Sequence, residues 1–234
     1  MGTSPDFDRG AAITRSLLGY GVLAGPFYVV LGLVQALLRP GFDLTRHDLS
    51  LLANGPWGWV QIVNLVLTGL MVIAAATGVG RALRGRPAGR WGALLIGGYG
   101  LGLIGAGVFV ADPMHGFPAG TPDGPPAEAT VHGLLHLVTA GLGFLSLVLA
   151  MVVLGTHFRR AGRTGWAWGS WVAGVAFLAG FGGLASGSSS PAVVLAFWVV
   201  LLLAWGWLAA VSVHLYRATP HPDGPRRAAV SQEA

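Results

Sequence analysis

Cysteine and lysine are absent from this chain, and acid is scarce: nine Asp and Glu residues stand among 234. Without cysteine there is no disulfide, no thiolate metal ligand and no thiol nucleophile. All fourteen basic residues are arginine, which fits codon bias. Charged residues make up only 10% of the chain, where a soluble domain carries about 25%. So little charge does not coat a globule in water. Hydrophobic residues fill the space instead, at 53%. The class is therefore a polytopic membrane protein. The net charge of +5 does not point to nucleic acid, because the arginines lie in short segments between apolar runs.

Six apolar runs follow one another: Leu17–Leu38, Val60–Val79, Trp91–Ala111, Val131–Gly155, Trp166–Ser186 and Ala192–Tyr216. Each is long enough, at about 1.5 Å per residue, to cross about 30 Å of hydrocarbon. The first exceeds the h-region of a signal peptide and lacks a small-x-small cleavage site, so it reads as a retained span with a kink at Pro26. The expectation is an all-α integral membrane protein, a six-transmembrane-helix bundle in the cell membrane. Residues 1–16 form a tail, 17–216 the membrane domain, and 217–234 a disordered tail.

Arginine sets the orientation. Arg9 and Arg15, then Arg81, Arg84, Arg86 and Arg90, then Arg159, Arg160 and Arg163, and finally Arg217, Arg226 and Arg227 share one side. Only Arg39 and Arg46 fall on the other. Twelve against two places both termini in the cytoplasm by the positive-inside rule. Trp57, Trp59, Trp91, Trp166 and Trp168 mark span boundaries, while Trp198 and Trp205 lie deeper as packing or lipid-facing residues. Many of the 38 glycines sit inside spans, as in GGYGLGLIGAG, where small residues let helices approach. No strand precedes them and no GK[ST] follows, so they do not cradle phosphate. The 112–130 connection is rich in Pro and Gly and should be irregular.

The polar residues that carry chemistry converge on the outer side. Arg46-His47-Asp48-Leu49-Ser50 joins spans one and two. Asp112-Pro113-Met114-His115 leaves span three, and His132 and His136 open span four. The two histidines are four apart, one turn on a helix. With His47 and His115 they offer nitrogen ligands for a zinc ion, which takes three or four ligands at about 2.0–2.2 Å. Asp48 or Asp112 would then act as base, with Asp112 the candidate to fix the His136 tautomer, and Ser50 stands beside them as a nucleophile candidate. Gln61 and Asn64, three apart on span two, suit hydrogen bonding between helices.

Three motifs, GFDLTRHDLSLLANGPWGWVQIVN, GVFVADPMHGFPAGTP and TVHGLLH, resemble the DUF998 family of six-span bacterial and archaeal membrane proteins. The resemblance covers about residues 15–215. Arg46, His47, Ser50, Asp112, Pro113 and His136 match the family's pattern, while Asp48 departs from it at a position expected to be uncharged. The family implies a fold and no activity. There is a looser likeness to the alkaline ceramidase and adiponectin-receptor hydrolases, which have seven spans and another motif order. Three functions stay open: a zinc-dependent hydrolase acting near lipid head groups, a non-catalytic membrane or partner-binding protein whose cluster is a hydrogen-bonded cap, and a transporter. The partners expected are the lipid bilayer and a lipid or small-molecule ligand at the outer face, and no nucleic acid. The nearly uncharged cytoplasmic halves of the spans disfavour transport.

Overall fold

The computed structural model describes residues 7–126, 128–188 and 190–223. Six helices, each long and apolar enough to cross a membrane, make up the fold. They are α1 (Arg9–Leu38), α2 (Gly58–Ala82), α3 (Pro87–Val108), α4 (Val131–Arg160), α5 (Thr164–Ala185) and α6 (Pro191–Ala218). A short 3₁₀ turn, Leu49–Ala53, lies between α1 and α2. The 112–130 connection forms no helix among its described residues.

Helix ends and apolar segments do not coincide: α1 begins before its segment and α4 runs past its own, while α3 stops at Val108, short of Ala111. The α1 helix starts two turns before Leu17, where the Asp8 carboxylate accepts the Ala11 N–H at 2.9 Å. Residues 9–16, expected as tail, are thus part of α1, and residues 1–6 lie outside the described residues. Pro26 sits inside a continuous α1. Pro87 and Pro191 open α3 and α6 at first-turn positions, where the missing N–H costs nothing. Arg217 and Ala218 belong to α6, and the rest of the expected tail from 224 on lies outside the described residues.

Consecutive helices pack side by side, and α6 returns to α1, so the six close into a ring. The start of α1 and the segment after α6 lie at one end: the Asp8 N–H donates to the Pro222 carbonyl at 3.0 Å, and Arg15 donates to the Thr219 carbonyl at 2.8 Å. Most of the arginines stand at that end too. The backbones of α4 and α6 do not pack directly; Phe144 and Phe197 meet across the gap at 6.0 Å between ring centroids. Trp205 is buried in the ring between Tyr28 and Tyr99, 5.6 Å from each. Outward-facing Leu23, Val30, Leu134, Leu142 and Val175 are all exposed, the surface a bilayer covers.

Hydrophobicity does not hold helices together in hydrocarbon, so close packing must. The α3–α4 seam shows how. A Cβ on Gly102 would stand 2.5 Å from the Gly143 Cα and 2.8 Å from the Thr139 carbonyl oxygen. Only glycine lets the two backbones meet there.

Candidate functional site

At the histidine-rich end, the 3₁₀ turn plugs the mouth of the ring. Leu49, Leu51 and Leu52 are buried, and Leu49 packs onto Gly32 of α1. Asp48 caps the turn: its carboxylate accepts the Ser50 N–H at 3.0 Å and the Ser50 hydroxyl in a very short bond. The Arg39 guanidinium donates to the Leu52 and Asn54 carbonyls at 3.0 and 2.6 Å and lies over the Phe117 ring. The Asn54 amide donates to the Ala111 carbonyl at 3.0 Å, tying the turn to the end of α3.

The His47 side chain is spent within this layer. It is buried, and its Nδ1 accepts the Asp43 N–H at 2.9 Å. Nε2 therefore carries the proton and donates to the His115 carbonyl at 3.0 Å. The ring packs against Phe42 and Phe117. Neither nitrogen has a lone pair left for a metal. His115 meets His47 through its backbone oxygen, not its imidazole. Burial, with His47 and Arg46 nearby, holds the His115 side chain below its ordinary pKa. Arg46 reaches across to Asp123 at 3.1 Å in an exposed ion pair.

Asp112 builds the start of α4. It accepts the Thr130 N–H at 2.9 Å and the Thr130 hydroxyl at 2.6 Å, while the Thr130 Oγ1 accepts the Gly133 N–H at 3.0 Å. Gly133 is required, since a Cβ there would collide with the Asp112 carboxylate. Asp112 thus secures a helix cap and does not set the His136 tautomer. That task falls to α3: His136 Nδ1 lies 3.0 Å from the Ala106 carbonyl and 2.9 Å from the Phe109 carbonyl. Both are acceptors, so Nδ1 carries the hydrogen. In the neutral ring Nε2 keeps its lone pair, and it makes no hydrogen bond among the described residues. His132, one turn earlier, is exposed and packs edge-on with Phe109.

The residues that do come together line a cavity of about 110 Å³ inside the ring. Asp48, Ser50 and His136 supply its polar wall. Tyr28 and Tyr99 line it deeper, and their hydroxyls make no hydrogen bond among the described residues. The remaining wall is apolar, with Phe144, Phe181, Phe197 and Trp198. Leu137, 63% exposed, stands at the rim between cavity and membrane surface. The space holds several waters or a short apolar group.

Gln61 and Asn64 lie elsewhere, in a buried network of α1 and α2. The Gln35 amide donates to Gln61 Oε1 at 2.8 Å, and the Asn64 amide donates to the Tyr28 carbonyl at 3.1 Å. No group of three or more His, Asp or Glu residues fit to hold a metal ion occurs among the described residues. Tyr28 and Tyr99 were not singled out by the sequence. Each sits in an apolar run where an aromatic reads as packing, and no spacing marks it.

Comparison with known proteins adds the family. Residues 22–214 match the family model described as protein of unknown function (DUF998). Neither the curated proteins nor the solved structures contain a match. The matched segment runs from the middle of α1 nearly to the end of α6 and takes in the whole polar layer and the cavity. The chain belongs to the DUF998 family.

Proposed function

We propose that this protein binds a lipid-like amphiphile in the cavity at its histidine-rich end. One observation carries the reading: three polar residues, Asp48, Ser50 and His136, line a largely apolar space inside a membrane bundle. Polar groups in hydrocarbon are expensive and mark function by default. A ligand with a hydroxyl or an amide N–H would meet acceptors in Asp48, in the Ser50 oxygen and in the Nε2 lone pair of His136. Its apolar part would lie along Phe144, Phe181 and Trp198. The rest of the polar layer (Arg39, His47, Asn54 and Asp112) serves as the hydrogen-bonded cap that holds this wall in place.

The arginine bias supports an arrangement with the termini in the cytoplasm of a cell-membrane protein, so the cavity would open toward the outer leaflet. Reporter fusions at Gly85 and Gly120 are expected to give cytoplasmic and external signals respectively; the same location for both would overturn the topology.

Binding is tested by mass spectrometry of lipids retained by protein purified in mild detergent. Ala140 lines the cavity, and Ala140→Phe fills it. Wild-type protein is expected to retain an amphiphile enriched over bulk lipid, and Ala140→Phe to lose it. Equal retention by both proteins, with melting temperatures alike, would defeat the proposal.

Hydrolysis is a second reading, favoured by the fixed His136 tautomer. With Nδ1 held as donor, Nε2 is the base that would take a proton from a water. Turnover of an ester amphiphile should then fall about 100-fold or more in His136→Gln. A variant as active as wild type would end the hydrolase reading and leave binding standing.

A further inference from the structure

A second, larger cavity of about 640 Å³ opens at the arginine-rich end of the ring. The start of α1, the α2–α3 connection, the α4–α5 connection and the end of α6 surround it. Arg81, Arg84, Arg86 and Arg163 line it, together with His157 and His214. Among the described residues, the one carboxylate on its wall is Asp8, whose Oδ1 caps α1.

None of the four arginines forms an ion pair among the described residues. Arg81 donates to the Thr14 hydroxyl at 3.0 Å and the Gly10 carbonyl at 3.2 Å, both neutral. Arg163 donates to the His214 ring, whose other neighbours are Phe158 and Trp166. Arg84 and Arg86 make no side-chain hydrogen bond among the described residues. Four guanidinium groups around one cavity repel one another unless an anion joins them. Orientation in the membrane accounts for arginine at this end; it does not require the arginines to ring a common space.

We infer that this cavity is a binding site for a phosphate-bearing anion. Guanidinium forks match phosphate oxygens in pairs, and such charge-assisted bonds are the strong ones. The site is independent of the amphiphile cavity, which lies at the opposite end and has no arginine on its wall. The same chemistry suits a soluble phosphate ligand and the headgroup of an anionic lipid.

The test uses the full chain and two probes. Inorganic pyrophosphate is titrated into detergent-purified protein by calorimetry. Retention of phosphatidylglycerol over phosphatidylcholine is measured from mixed-lipid nanodiscs. The Arg84→Gln/Arg86→Gln protein removes two cavity arginines that hold nothing else in place, and Arg159→Gln/Arg160→Gln removes the same charge from exposed positions off the cavity wall. Wild type is expected to bind at least one probe, with affinity about tenfold weaker or more in the first variant and little changed in the second. Pyrophosphate binding alone identifies a soluble ligand; lipid retention alone identifies a headgroup. No binding of either probe, or equal losses in both variants, overturns the site.

Discussion

At the histidine-rich end, Arg39, His47, Asn54 and Asp112 are buried, and each meets a partner inside the chain. At the arginine-rich end, Arg84, Arg86, Arg159 and Arg160 are exposed and make no side-chain hydrogen bond among the described residues. The difference comes from the connections. Long loops fold back over the ring at one end, so their polar groups must be satisfied internally. Short hairpins turn in water at the other, and their polar groups need no internal partner. Substitutions at the two ends should therefore act on different properties, the first on stability and the second on binding.

The largest expected effect is at Asp112. Asp112→Ala leaves the Thr130 N–H and hydroxyl without their acceptor and loosens the start of α4. Hydrogen bonds to charged groups contribute about 1.5–3 kcal/mol each, so a loss of about 2–4 kcal/mol is expected. Arg159→Gln at the opposite end should change stability by about 0.5 kcal/mol or less. Thermal unfolding in detergent checks both, and equal shifts would erase the contrast between the ends.

Next comes the seam midway between them. Gly102→Leu drives a side chain into the Gly143 backbone and should cost about 1–3 kcal/mol by overpacking. Gly19 serves as control, since a Cβ added there would meet nothing within 4 Å. If Gly102→Leu melts no lower than Gly19→Leu, the seam tolerates strain and the ring is looser than its glycines imply.

The spans were legible because a run of about twenty apolar residues has one common explanation in a membrane. Their ends were not, since Asp8 and Thr130 act through cap geometry that composition does not encode. Asp48, Ser50 and His136 could be picked out as polar residues beside hydrocarbon, and they line one cavity. Grouping all four histidines was a weaker inference. The i, i+4 rule put His132 and His136 on one face, but α3 ends at Val108 and does not cover His132. His47 is buried in the loop layer with both nitrogens engaged, which no spacing reveals. Tyr28 and Tyr99 were hidden because the spans are apolar on every face, so sequence does not say which residues turn inward.

The smallest expected effect is a pH response at the histidine-rich end. Burial, then His47 and Arg46, hold His115 below its ordinary pKa. The unfolded chain therefore takes up this proton at a higher pH than the folded one. Stability tied to neutral His115 is complete above the unfolded value of about 6.5 and is lost as pH falls from there through the folded value. Asp43 on the neighbouring loop titrates lower still, because the Thr45 N–H and hydroxyl hold its carboxylate below the usual range. Its share is lost only further into acid, below about 3.9. Hydrogen exchange in 112–126, corrected for intrinsic rates, should thus be faster at about pH 5.5 than at about pH 7.5. His115 has a positive φ of 56°, a conformation asparagine also tolerates, so His115→Asn removes the titration with little strain. An acid response that persists in this variant would assign the sensitivity to another group in the layer.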